Sequence, residues 1–178
     1  MAYHSVLIPS AIAAMNIDSL NRSVISASPI DNGNIFAMGA EYTSGSLTEV
    51  FPVTQPSAGS ATGAWMAYSG DEITVTNAQY KGLDPDPRNF FNAAGKVFSA
   101  FKPQVGDIIV LTAEAFSNTF SSHTYAAPIL TSYKLQWESA AAASGLCYKY
   151  IGATYISLAT GAIDNQRVTA YKLECVSI

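Results

Sequence analysis

Two histidines, His4 and His123, are the first residues that could do chemistry, since imidazole is the commonest general base near neutral pH. His123 lies in Ser121-Ser122-His123-Thr124, which pairs a base with hydroxyls only within one loop. A hydrolytic triad needs a base set on the hydroxyl and a third group orienting that base, and no Gly-x-Ser-x-Gly elbow is present. Gly95-Lys96 lacks the rest of a phosphate loop, because Phe90 and Val97 stand where Gly and Ser or Thr are needed. Asp84 and Asp86 alternate with Pro85 and Pro87, and only Asp71 and Glu72 lie near in sequence to complete a calcium shell. They read as turn formers on a stiffened connection. Cys147 and Cys175 have no Cys-x-x-Cys or histidine spacing for zinc. The expectation is no catalytic residue, no metal and no cofactor, hence a protein that is not an enzyme. Asn21-Arg22-Ser23 fits the glycosylation pattern, which matters only in a eukaryotic secretory setting. Trp65, Tyr68, Tyr80, Phe90, Phe91 and Trp137 could line a carbohydrate cleft, although rings at this density more often fill cores and interfaces.

Composition narrows the classes further. Only 12% of the 178 residues are charged, nine basic against thirteen acidic, where about a quarter is usual. A net charge of −4 argues against nucleic acid, which calls for a basic stripe. No apolar window is long enough for a membrane span, and the start, MAYHSVLIPSAIAAMN, lacks the Lys or Arg of a secretory signal. The area scaling gives about 8,300 Å² folded against roughly 27,000 Å² unfolded, so a core can form without disulfides. Charge on a surface opposes association. A chain that gives it up is expected to have much of its exterior covered by partners.

The elements that would carry these residues are mostly strands. Residues 1–31 hold only Asp18, Arg22 and Asp31 as ionised groups. They read either as an arm that packs on something else, with a short helix capped by Ser10, or as an ordinary first strand and connector. From Asn32-Gly33 onward, apolar runs at Ile35 to Met38, Leu47 to Val53, Ala64 to Tyr68, Lys96 to Lys102, Asp107 to Thr112, Thr124 to Thr131 and Tyr133 to Trp137 alternate with turns. The turn from Ser57 to Gly63 is expected on the surface, and Ala140 to Ser144 is too short for a helix. Gly145 to Leu158 and Tyr171 to Cys175 read as a hairpin whose pairing puts Cys147 and Cys175 on opposite faces, against a disulfide. The expected fold is all-β, a sandwich or barrel of mainly antiparallel short strands with little helix. Its domains are an N-terminal arm (1–31) and a β-rich domain (32–178).

The segment from Asn32 to Phe116 resembles a group of small tailed-bacteriophage head proteins, described as capsid decoration, cement or head-stabilising proteins. The resemblance rests on Asn32-Gly33-Asn34-Ile35, Leu47-Thr48-Glu49-Val50-Phe51-Pro52-Val53-Thr54, Trp65-Met66-Ala67, Asn89-Phe90-Phe91-Asn92-Ala93-Ala94-Gly95-Lys96-Val97 and Val105-Gly106-Asp107-Ile108-Ile109-Val110-Leu111-Thr112. A basic residue is expected soon after Lys96, where this chain has Phe98-Ser99-Ala100. The resemblance implies a virion protein assembled in the host cytoplasm, on the capsid exterior, bridging major capsid subunits as a homo-oligomer, a trimer above all. In that setting the arm would lie across a neighbour with Val6, Leu7, Ile8, Ile12 and Val24 as anchors. The rival expectation is a receptor- or glycan-binding β module of a phage fibre, tail or surface appendage, marked by an exposed Trp65 or Trp137 beside a groove.

Overall fold

In a computed structural model the protein is described over residues 3–43, 45–56, 63–70, 74–77, 80–83, 86–160 and 164–178, with backbone alone at 46, 74–77, 80–83, 158–160 and 164–166. The turn expected at 57–63, apart from Gly63, lies outside these residues, as do Asp71, Glu72, Asp84 and the Tyr80 side chain. The chain is all-β. In order the strands are β1 (Leu7–Ala11), β2 (Asn21–Ile25), β3 (Ile35–Met38), β4 (Val50–Thr54), β5 (Trp65–Ala67), β6 (Thr74–Asn77), β7 (Tyr80–Leu83), β8 (Val97–Phe101), β9 (Ile108–Thr112), β10 (Tyr125–Pro128), β11 (Leu135–Glu138), β12 (Cys147–Thr160) and β13 (Asp164–Ser177). Helix among the described residues is limited to 3-10 turns of three residues.

Two sheets share the core. A six-stranded antiparallel sheet runs β1-β9-β13-β12-β10-β11, while β2-β4-β3-β5-β8 close a barrel and β6-β7 stand as a separate pair. The barrel strands explain the near-continuous apolar runs in the sequence, because the period of two sends neighbouring residues into different cores. Ile35, Met66 and Phe101 form one row across β3, β5 and β8 and pack against Leu7, Ile109, Leu111 and Leu173 of the large sheet. Their neighbours Phe36, Trp65, Ala67, Phe98 and Ala100 fill the barrel with Val24 and Ile30.

Asn32-Gly33 is the joint between the two. Gly33 has φ +86°, and a Cβ there would overlap the Leu111 side chain; both facts require glycine. Its N–H donates to the Ala67 carbonyl at 2.8 Å.

Residues 1–31 are not an arm. Leu7↔Leu111 and Ile8↔Val110 pair β1 to β9, and β2 is a barrel stave between β8 and β4. The backbone of an apolar segment must find hydrogen bonds before it can be buried, and here this chain's own strands supply them. Ser10 therefore sits in β1, and the expected helix is replaced by the 3-10 turns Ala13–Met15 and Asp18–Leu20. Residues 32–178 accordingly share both the large sheet and the barrel with the N-terminal segment. The strand expected from Leu47 starts at Val50, since Gly45–Leu47 make a turn and Glu49 takes φ +68°. No helix forms over 140–144.

The hairpin is longer than expected. β12 and β13 hold 14 residues each. β12 pairs with β10 only at Tyr148 and Lys149, and β13 meets β9 only from Ala170 to Glu174. Beyond that level the two strands pair with each other alone, as a ribbon continuing past the sheet. Tyr148 stands opposite Cys175, with a bulge between Cys147 and Tyr148, and both cysteines are buried free thiols.

Candidate interaction surface

Of the expected anchors, Val6, Leu7, Ile12 and Val24 are buried within this chain and cannot reach a partner; Ile8, 41% exposed, is the exception. Val6 is fixed by reciprocal bonds with Thr112, through its N–H to Oγ1 at 3.1 Å and its carbonyl to the Thr112 N–H at 3.2 Å. The outward apolar residues come from elsewhere.

Asp107 ties one end of the large sheet together. Its carboxylate accepts the N–H groups of Ala13 and Gln104, each at 2.8 Å. Its carbonyl accepts from Cys175 N–H, while the Cys175 carbonyl accepts from Gly106, both at 2.8 Å. The Lys102 N–H reaches the Leu20 carbonyl at 2.8 Å. These bonds gather the turn 13–20, the loop 102–107 and the C-terminus at one end. Exposed on these segments are Met15 (59%), Ile17, Val105 (61%), Val176 and Ile178. Large side chains left in water at one place mark an interaction site. Sequence periodicity missed all five, because three lie in turns and loops and two at the terminus, where no pattern assigns a face.

A polar knot holds the opposite flank. His4 Nδ1 meets Asp31 Oδ1 at 2.7 Å, with the ring 4.8 Å from that of Phe91. The Ser5 hydroxyl donates to the Asn32 carbonyl at 2.5 Å, so it is not presented to His4 as a nucleophile. Asn92 Nδ2 donates to the Ile30 carbonyl and to Asn32 Oδ1, which also accepts from the Ser69 N–H. Asp86 caps the turn Pro87–Asn89 through the Arg88 N–H, as Asp before Pro at a helical start does. It also grips the Arg88 guanidinium at 2.8–3.2 Å. That ion pair holds the Asp86 carboxyl below, and the Arg88 guanidinium above, its ordinary value. Arg88 further stacks over Tyr3, 3.9 Å from the ring centre.

The remaining candidates take structural places. His123 Nδ1 accepts the Ser121 N–H at 3.2 Å within its loop. Asn21 Nδ2 clamps the Ala14 and Ile17 carbonyls at 2.7 and 3.2 Å. Trp65 and Trp137 are both buried, Trp137 at 2%, so neither is an exposed ring beside a groove. Among the described residues, no group of three or more His, Cys, Asp or Glu is placed to hold a metal. Burial pushes the Cys147 thiol up and raises Cys175 to about 12, the latter with help from the Asp107 charge. Comparison with known proteins finds no family model, no curated protein and no solved structure that matches the chain.

Proposed function

We propose that this protein is a structural component of a bacteriophage head, binding the outside of the assembled capsid and bridging neighbouring major capsid subunits. The observation that carries the reading is the apolar end built on Asp107, where Met15, Ile17, Val105, Val176 and Ile178 face water in a chain that is only 12% charged. Such a surface is suited to being covered. The two free buried thiols suit assembly in a reducing cytoplasm. Several copies acting together, a trimer in this proposal, turn modest contacts into slow release through effective concentration.

The test is location and consequence. Cryo-electron microscopy of purified virions is expected to place the chain on the outer shell, and heads without it are expected to fail sooner under heat or chelator. Virions lacking the chain, or equal resistance without it, would overturn the proposal.

A further inference from the structure

The large sheet guards both of its outer edges. On β1, Pro9 removes a donor, and the pairing with β9 slips between Pro9 and Ala11. On β11, Asn118 stands in for a further strand. Its Oδ1 accepts the Trp137 N–H at 2.8 Å and its Nδ2 donates to the Trp137 carbonyl at 3.1 Å, while the Ser117 N–H reaches the Leu135 carbonyl at 2.8 Å. Both devices deny the edge to another chain.

The β12–β13 ribbon adds a further edge that lacks such protection. The Tyr150 N–H donates to the Thr124 carbonyl at 2.8 Å; past it, among the described residues, β12 pairs with β13 alone. The opposite side of the ribbon differs, since β13 carries Asp164 and Arg167 there and Val168 packs beside Val6 and Val110. Along β12, by contrast, the sequence from Tyr150 to Ile163 holds no charge and no proline. Ile151 and Tyr155 are 43% and 62% exposed, and Ala153 and Ser157 are exposed with them. Two strands by themselves are marginal in water, and a third or fourth stabilises them.

An identical strand is the partner that suits an uncharged edge. Two-fold pairing sets residue i against j and j against i, and here no like charges come face to face. The free stretch from Ile151 to Ala159 is centred on Tyr155. An axis at that residue sets Tyr155 against its copy and Ala153 against Ser157, so small side chains flank the two rings.

We propose that the β12 edge from Ile151 to Ala159 docks a second copy of this chain, antiparallel and about a two-fold axis at Tyr155, giving a four-stranded ribbon. The contact stands apart from the proposed function. It is two-fold, so it joins copies in addition to the proposed trimer, and roughly 30 Å of strand separate Asp164 at its tip from Glu174 beside the Asp107 knot. Edge pairing buries less than a standard interface of about 1,200–2,000 Å², so a dissociation constant on the order of 0.1 mM is expected.

The test is sedimentation velocity of the isolated full chain up to about 1 mM, with thermal unfolding of each variant as control. Tyr155→Lys and Tyr155→Glu each set like charges across the axis and are expected to weaken self-association about tenfold or more, while an equal mixture of the two regains it. On the wild-type chain, alternate amides from Ile151 to Ala159 are expected to gain protection from hydrogen exchange as concentration rises, which decides the matter if the variants unfold. A chain that stays monomeric, folded variants that associate like wild type, a mixture no tighter than its components, or amide protection independent of concentration would overturn the proposal. Loss of shell binding in Tyr155→Lys with a monomeric wild-type chain would give the edge to the capsid protein instead and equally overturn it. Absence of shell binding with self-association intact would count against the proposed function and leave this contact standing.

Discussion

Val105→Asp isolates the apolar end without touching the core. Val105 is 61% exposed and lies in the loop beside Gly106, so the substitution is expected to change folding stability by no more than about 0.5 kcal/mol. Full burial of a Val, Ile or Met side chain is worth about 1.5–3 kcal/mol. The five residues of the patch are 36–61% exposed, leaving each roughly 1 kcal/mol to gain and the patch about 5 kcal/mol per copy. An aspartate there forfeits one share and strands an unpaired charge in a dry contact, at a further cost of about 3 kcal/mol or more. The expected loss in affinity is about a thousandfold, whereas Val105→Thr, of like shape but with a hydroxyl to desolvate, should lose about ten- to thirtyfold. The assay is co-sedimentation with mature shells stripped of the protein, with thermal unfolding of each variant as control. Wild-type binding by a stably folded Val105→Asp would refute the assignment of this end as the contact surface.

Tyr148 is fully buried and its hydroxyl has no partner, so Tyr148→Phe is expected to raise stability by about 1 kcal/mol in denaturant unfolding; a loss of that size would show the hydroxyl to be bonded. Gly33→Ala meets both a left-handed φ and the Leu111 side chain and should cost about 3 kcal/mol or more, seen as a fall in thermal midpoint of about 6 °C or more. Asp86→Asn leaves the buried Arg88 without its carboxylate and should cost about 3 kcal/mol at pH 7. Because the folded state holds Asp86 below its ordinary value, the wild-type contribution is full above about pH 4 and fades as acid passes through the folded value, and the variant should lack that acid-side slope. Cys175 carries the opposite sign: its thiol is raised to about 12, so the folded chain keeps a proton the unfolded chain releases, and stability should fall between about pH 9 and 12 by about 4 kcal/mol. Cys175→Ala should flatten that alkaline limb, and native chain should resist a thiol reagent at pH 8.

Much of the fold was legible because turn chemistry and alternation agree along the chain. Asn32-Gly33 announces the turn that only glycine completes, and the runs around Ile35, Trp65 and Phe98 sit where strands form. Up to Tyr150 the hairpin register follows from its apolar faces, which is why Tyr148 meets Cys175 and the two thiols do not join; past it a second bulge, between Tyr150 and Gly152, turns Ile156 from the expected face to the other, against Val6 and Val110. The division of strands between sheet and barrel was not legible. A run buried on both faces looks the same whether its second face meets a barrel interior or another sheet, and the parallel β2–β4 pair joins segments with no shared pattern.

The place of residues 1–31 was not legible for a related reason. Low charge and apolar content in residues 1–31 describe equally a strand that needs partners within the chain and an arm that needs them outside it; β9 and β8 decide the matter by offering free edges. Once Val6, Leu7, Ile12 and Val24 turn inward, the excess of apolar residues has to surface somewhere else. Met15, Ile17, Val105, Val176 and Ile178 are among the residues that do so, and the segments that carry them are tied together by Asp107, whose carboxylate accepts from the first turn and from its own loop while its backbone binds the last strand. A surface made by a single buried hydrogen-bond knot has no periodicity to betray it, and breaking that knot should scatter the patch without removing any of its residues.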